Sequence, residues 1–219
     1  STPIKSSAAS DVYKRQYNNN LISLCQVMKL FIFLFSFFLY NREVKRRKIM
    51  KKIAKFEKVS YNQFKNDFMD SFPQYNEKEV EEIYHSIQLP KRATKGSAGY
   101  DFYSPIDFEL NPGQTIKIPT GIRVRIENGW VLGLYPRSGL GFKYRLQLNN
   151  TVGIIDSDYY NSDNEGHMFV KLTNDSNEDK SLSLTAGQGM VQGIFFEFGI
   201  VEDDDVTEER NGGFGSTTK

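Results

Sequence analysis

The stretch Asn150-Thr151-Val152-Gly153-Ile154-Ile155-Asp156-Ser157-Asp158-Tyr159 combines an apolar strand, a glycine, two carboxylates and an aromatic ring. A carboxylate held at the mouth of a stiff β-hairpin is placed to act as a base toward one water molecule, and Asp156 has that place. Gly153 has no Cβ, so another backbone or a flat ligand can come close. The plain alternative is a hairpin whose Asp-Ser-Asp turn is simply solvated.

Four further segments carry polar groups beside glycines. They are Ser97-Ala98-Gly99-Tyr100-Asp101-Phe102, Tyr135-Pro136-Arg137-Ser138-Gly139-Leu140-Gly141, Gly187-Gln188-Gly189-Met190-Val191-Gln192, and the tail Asn211-Gly212-Gly213-Phe214-Gly215-Ser216-Thr217. The second offers a hydroxyl and backbone N–H groups at a turn, the parts of an anion nest or of an ordinary Pro-initiated surface turn. The tail is too glycine-rich and polar to pack a core, so it is expected to be mobile until something orders it.

The chain that must position these segments has 219 residues, 25% charged and 39% hydrophobic, with formal net charge +1. That fits one globular domain with extensions. The charge balance gives no reason to expect a stable nucleic-acid partner or a membrane surface. Cys25 is the only cysteine, so there is no disulfide framework and no thiolate metal cage. His85 and His167 are too few for a histidine zinc site, which leaves metals that prefer oxygen ligands and arrive with a phosphate substrate.

From Leu89 the chain reads as short strands separated by turn signals such as Asn111-Pro112-Gly113 and Glu127-Asn128-Gly129. Alternation marks strands at Thr115–Ile118 and Gly121–Ile126; others are expected at Trp130–Tyr135, His167–Leu172 and Met190–Phe196. Strands this short, with no helices between them, point to an all-β sandwich or jelly-roll barrel. Residues 50–88 read as a helical extension: Ser60 with Gln63 is a capping-box pattern, and Phe64 and Phe68 then share a face. Asn76 can cap a second helix with Val80, Ile83, Tyr84 and Ile87 at helical spacing.

Residues 1–49 are expected to be a non-native or untranslated leader, with Met50 as the start. Asp11-Val12-Tyr13-Lys14-Arg15-Gln16 resembles a translated sequencing-library transposase end, so residues 1–16 read as an adaptor. The apolar run at residues 30–40 is shorter than the roughly 20 residues a spanning helix needs, and a basic cluster, Lys45-Arg46-Arg47-Lys48, follows it. Without that leader no membrane association is expected.

Taken together and in order, the five segments resemble the motifs of the homotrimeric dUTP diphosphatase (dUTPase) family, over about residues 89–219. The resemblance implies a jelly-roll-like β-barrel at residues 89–201 and a flexible C-terminal arm at 202–219 that closes over the active site. It implies a cytoplasmic homotrimer with inter-subunit active sites. Such an enzyme hydrolyses dUTP to dUMP and pyrophosphate with Mg²⁺, limiting uracil in DNA and supplying dUMP for dTMP synthesis. By the same resemblance Asp156 activates the water that attacks the α-phosphorus, and Asp101 is linked to Mg²⁺ through water. Arg137, Ser138 and Gly139 face the phosphates, and Tyr159 packs under the deoxyribose. Asn150 and the backbone around Gly153 read the uracil edge, Gln192 contacts uracil and phosphate surroundings, and Phe214 stacks on the uracil. Gly215 permits the close wrap of the arm, while Arg210, Ser216 and Thr217 address the γ-phosphate.

The chain departs from the family pattern in places. Gly189 stands where the fourth motif usually has Arg, so one expected cation is missing. Arg210 is two residues before the glycine pair instead of three, and Thr218 replaces a final Gly. The segment Tyr160-Asn161-Ser162-Asp163-Asn164-Glu165-Gly166 is longer than the family's compact turn and is expected to form a bulged loop near the site. Two other readings stand beside the hydrolase. One is a dCTP deaminase-like or bifunctional relative; the other is a viral-type dUTPase whose 50–88 extension and 160–166 loop bind a regulatory partner.

Overall fold

The computed structural model describes residues 28, 29, 31–38 and 50–208. The chain divides into two compact units, residues 1–52 and 53–219. In the first, residues 31–38 are helical and exposed, with the Phe33 and Phe37 rings stacked at 6.4 Å one turn apart. No helix among the described residues is long and apolar enough to cross a membrane. The adaptor-like residues 1–16 and the basic cluster lie outside the described residues.

The second unit is built from antiparallel strands. It opens with β1 (Ala54–Lys58), α1 (Tyr61–Ser71) and α2 (Glu77–Ser86). Then follow β2 (Lys91–Arg92), β3 (Tyr100–Tyr103), β4 (Phe108–Leu110), β5 (Thr115–Pro119), β6 (Ile122–Ile126) and β7 (Trp130–Pro136). After α3 (Ser138–Tyr144) come β8 (Leu146–Leu148), β9 (Gly153–Ile155), a 3-10 helix (Ser157–Asn161), β10 (Phe169–Asn174), β11 (Leu182–Leu184) and β12 (Gly189–Glu197). The largest sheet runs β2-β3-β12-β7-β9; smaller ones are β5-β10-β8, β1-β6 and β4-β11. The architecture is the all-β one that the short alternating segments imply.

Period two explains the core. In β6, Ile122, Val124 and Ile126 are buried while Arg125 is exposed, and Leu146/Leu148 and Leu182/Leu184 bury alternate positions in the same way. These meet Phe102, Leu132, Leu134, Met168, Leu172, Met190 and Val191 in one cluster. The extension joins that cluster rather than standing apart from it: Phe64 and Phe68 of α1 and Val80 of α2 are fully buried. Gly121, at φ +72°, leaves room for them, since a Cβ there would lie 2.4 Å from Ile87 Cδ1 and 3.2 Å from Phe64.

The two helices cap differently. Asn76 and Glu79 form a full reciprocal box on α2. On α1, Ser60 Oγ accepts from the Gln63 N–H at 3.2 Å, but the Gln63 side chain bonds Asp67 and does not return. The Ser60 N–H donates instead to Glu165 Oε2 at 2.8 Å.

The structure corrects four local expectations. Residues 54–58 of the extension are a strand paired with β6, because Phe56 packs its ring against Tyr100, Phe102 and Phe195. The strand region contains a helix, α3, where a turn was expected. Asn150–Tyr159 is not a hairpin: β8 pairs with β10, and β9 pairs with β7. Thr151, at φ +66°, turns the chain from one sheet into the other. Finally, the 160–166 loop does not stand out as a bulge but folds back on the extension.

Three carboxylates hold that contact. Burial raises the Asp67 pKa, but hydrogen bonds from His167 and Gln63 outweigh it and the net shift is downward. Burial also raises the Glu165 pKa, and the bonds from the Ser60 N–H and hydroxyl outweigh it to leave a net lowering. At Glu57, hydrogen bonds from Lys55 and then Tyr160 lower it. Each folded carboxyl binds protons more weakly than its unfolded counterpart, so its stabilisation is complete above the unfolded pKa and disappears as pH falls through the folded one. The melting temperature should therefore hold from neutrality to about pH 5 and fall steeply below about pH 4. Glu165→Gln should flatten part of that acid limb in thermal melts across pH.

Candidate active site

Strand β12 brings three of the five segments into register. Gln192 on β12 stands opposite Asp101 on β3 and opposite Tyr135 on β7. Its Nε2 donates to Pro136 O at 3.1 Å, and its Oε1 fills the space beside Gly99, where a Cβ would come within 2.5 Å. One residue beyond β7, Arg137 lies with Nε 3.1 Å from Asp101 Oδ1. Its Nη1 donates to Gly189 O at 3.1 Å.

This arrangement accounts for the glycine in the fourth segment. A Cβ at Gly189 would sit 2.6 Å from Arg137 Nη1 and 2.9 Å from Cζ. The space of a side chain at position 189 is thus taken by the guanidinium of Arg137. A cation reaches the start of β12, but from the second segment.

Arg137 also occupies the N-cap position of α3, without a side-chain capping bond. Ser138 and Gly139 are exposed in its first turn, where helix geometry gives their N–H groups no intrahelical acceptor. The expected anion-facing turn is therefore a helix start, which presents the same kind of donors. An open cleft of about 380 Å³ borders it, lined by Arg137, Ser138, Phe142, Arg145 and Gln147 among others. Arg145 and Gln147 both bond Asp175, at 3.1 and 2.7 Å, as Arg137 bonds Asp101 on the other side of the helix start.

The second group sits elsewhere. Asn150 is exposed at the turn after β8, where Thr151 N–H bonds Leu148 O and Val152 N–H bonds Asn150 O. Gly153 is buried opposite Leu134, and a Cβ on it would lie 3.1 Å from Leu134 Cβ, so the side chain of the neighbouring strand makes the close approach. Asp156 follows β9, half-buried, at the N-cap position of the 3-10 helix, which it does not cap through its side chain. Tyr159 is only 3% exposed; its hydroxyl donates to His167 O at 2.8 Å and receives Asn164 Nδ2 at 2.9 Å. Arg210, Phe214, Gly215, Ser216 and Thr217 lie outside the described residues.

The two groups are far apart in one chain. Asp101 is level with Tyr135 of β7, whereas Asp156 lies one residue past Ile155, which faces Leu132. Strand rise and the strand spacing across β3-β12-β7-β9 put the two carboxylates roughly 20 Å apart. No group of three or more His, Cys, Asp or Glu side chains among the described residues is placed to hold a metal ion. Asp101 belongs to no such group, and its carboxylate is paired with Arg137.

Gly99, part of the first segment, matters because it admits the Gln192 amide. His167, set aside as half of an insufficient zinc set, has no signal in the sequence; it is fully buried, and its carbonyl accepts the Tyr159 hydroxyl.

Gly189→Ala tests the packing argument. The methyl should push the Arg137 guanidinium off Asp101 and weaken binding of inorganic pyrophosphate, while unfolding free energy changes by less than about 1 kcal/mol. Calorimetric titration and a denaturant melt measure the two effects separately.

Comparison with known proteins follows the same residues. A protein-family model for dUTPase matches residues 85–218. The deoxyuridine 5'-triphosphate nucleotidohydrolase of Lactococcus lactis is 44% identical over 134 residues, spanning 60% of this chain and 88% of that protein. That of Haemophilus influenzae strain PittEE is 41% identical over 145 residues, spanning 63% and 91%. A solved dUTPase of phage 80alpha shares the fold at a TM-score of 0.50 and 20% identity, covering 72% of this chain and 98% of that one. With the family match running from the end of α2 through the Gly-rich tail, this chain belongs to the dUTPase family.

Proposed function

We propose that this chain hydrolyses dUTP to dUMP and pyrophosphate at sites completed between subunits of a homotrimer, with Asp156 as the base. The observation that carries the reading is the placement of Asp156. It is a half-buried carboxylate directly after β9, whose flanking residues Gly153 and Ile155 are buried, and it leads into the 3-10 helix. Family membership supports the reaction, and the roughly 20 Å gap between Asp156 and Asp101 supports the shared site. One chain cannot bend its own sheet to close that distance, but a symmetric neighbour can present its Asp156 to Arg137.

In the proposed complex Asp156 takes a proton from water as the oxygen attacks the α-phosphorus. A base so placed contributes on the order of 10²–10⁴-fold in rate. Arg137 and the N–H groups of Ser138 and Gly139 bind the phosphate oxygens and hold the chain of phosphates in line. Mg²⁺, bound with the triphosphate, would supply positive charge to those oxygens, and Asp101 is the carboxylate that would hold one of its waters. Asn150 and the backbone beside Gly153 read the uracil edge, Tyr159, 3% exposed, supports the deoxyribose site from behind the turn, and Gln192 closes the opposite side. Arg210, Phe214, Gly215, Ser216 and Thr217 of the C-terminal arm cover the bound nucleotide and exclude water. The cellular consequence in this reading is cytoplasmic: less uracil in DNA and dUMP for dTMP synthesis.

Asp156→Asn should reduce pyrophosphate release from dUTP by about 10²-fold or more while the Kd for a non-hydrolysable dUTP analogue stays within a few-fold. Retained turnover would remove Asp156 as the base. Shared sites have their own test. Asp156→Asn and Arg137→Ala should each be inactive alone, yet regain roughly a quarter of wild-type activity when co-refolded in equal amounts, as random subunit pairing requires. Continued silence of assembled mixtures would mean that each site is built within one chain.

A further inference from the structure

The family match begins at residue 85, yet the turn that carries Asp156 is held by residues that precede it. His167 is fully buried, and both its ring nitrogens are engaged. Nε2 accepts the Gly121 N–H at 2.8 Å, so the ring hydrogen is on Nδ1 and is donated to Asp67 Oδ2 at 2.6 Å. Asp67 is on α1, 100 residues away in sequence. With its ring fixed in this way, His167 presents its carbonyl to the Tyr159 hydroxyl at 2.8 Å and to Asn164 Nδ2 at 3.3 Å. Gly166, at φ +68°, seats the returning loop so closely that a Cβ would lie 2.8 Å from Tyr159 O.

The same loop is gripped from the extension at other points. Glu165 accepts the Ser60 N–H and hydroxyl at 2.8 and 2.7 Å, and the Tyr160 hydroxyl donates to Glu57 at 2.5 Å. Arg123 lies over the Tyr160 ring at 3.7 Å and donates to Tyr160 O at 3.0 Å. Asp156 and Tyr159 are ends of a single turn, closed by the Tyr159 N–H to Asp156 O bond at 3.3 Å. Fixing Tyr159 at its hydroxyl therefore fixes the turn from which Asp156 projects.

We propose that the N-terminal extension is a built-in strut for the catalytic turn, in which Asp67 and His167 are positioning residues that set Tyr159 and, through it, Asp156. The proposal rests on the reading of Asp156 as the base and of Tyr159 as the ring behind the sugar. It gives the extension and the inserted 160–166 loop one shared role, with the loop as the extension's point of purchase on the turn.

The test measures kcat and KM for dUTP, the preference for dUTP over UTP, and the melting temperature, all on the full chain. Asp67→Ala should lower kcat roughly 10–100-fold with little change in KM, and reduce the preference for dUTP. Asp67→Asn, whose amide oxygen still accepts from His167 Nδ1, should recover most of both. Wild-type kcat and selectivity in a folded Asp67→Ala protein, whatever its melting temperature, would overturn the strut and leave the extension a stabilising cover. Should Asp67→Ala not fold, Tyr159→Phe decides, because it keeps the ring and deletes only the hydroxyl's two bonds, the one it gives to His167 O and the one it receives from Asn164 Nδ2. A lowered kcat near the wild-type melting temperature supports the strut, and an unchanged kcat overturns it. Asp156→Asn measured alongside separates the two failures, since turnover retained there sinks the reading beneath the strut and not the strut alone.

Discussion

Strand β12 hydrogen-bonds β3 on one edge and β7 on the other, and this double ladder decides where the chemistry can be. A ladder fixes register to the residue, because a slip by one would turn every side chain to the opposite face. Gln192, Asp101 and Tyr135 are level for that reason, and Pro136 and Arg137 follow at the strand end. The packing there is close enough to need glycines. Gly99 makes room for Gln192 Oε1 and Gly189 for the Arg137 guanidinium, so side chains lie across the strands instead of standing off them. With Arg137 already drawn to Asp101, phosphate binding in the proposed site is an exchange of one anion for another at a preset cation.

The same ladder places its other edge out of reach. β9 extends the sheet beyond β7, so Asp156 is carried away from Asp101 both across the strands and along them. What holds Asp156 is consequently a separate set of bonds. These are buried and polar, and they require complete satisfaction: His167 has an acceptor for its hydrogen and a donor for its lone pair, and Tyr159 Oη both gives and receives. A network satisfied in that way is rigid, and rigidity is what the base proposed at Asp156 would need. It also explains why the extension is packed into the core through Phe64, Phe68 and Val80: Asp67 can serve His167 only if α1 cannot move.

What could be read from the sequence was what local physics determines. The alternation in Ile122–Ile126, the Ser60 and Asn76 caps and the shared face of Phe64 and Phe68 each depend on neighbours within a few residues. The segments of the site could be named for the same reason, since their residue types are contiguous. Pairing is not local. β8 and β9 look like two arms of a hairpin, yet each finds its partner elsewhere, and only the left-handed Thr151 betrays the change of sheet. α3 was hidden because Gly139 and Gly141 have poor helix propensity, and seven residues leave no periodicity to detect. Asp67 and His167 share no pattern at all across 100 residues. Gly189 misled in a different way: counted as a missing cation, it is the space that a cation from another segment fills.

In the proposed reading an inter-subunit site is a demand of geometry as much as of kinship. With the proposed phosphate-facing group on the inner strands β3, β12 and β7 and the proposed base after the edge strand β9, one chain would hold two half-sites and no internal means of joining them. Ile154 illustrates what the base side offers: it lies between the buried Gly153 and Ile155, so strand alternation turns it outward, and it is 57% exposed. Phe142 on α3, beside the phosphate-facing cleft, is 93% exposed. Apolar side chains standing out at both half-sites are the kind of surface that a symmetric neighbour covers, and covering them brings unlike halves together. In the proposed trimer the strut acquires a second meaning. The turn that carries Asp156 works on a neighbour's substrate, beyond the reach of its own phosphate-facing group, so it must be braced from behind by its own chain. The extension is the element in position to do so.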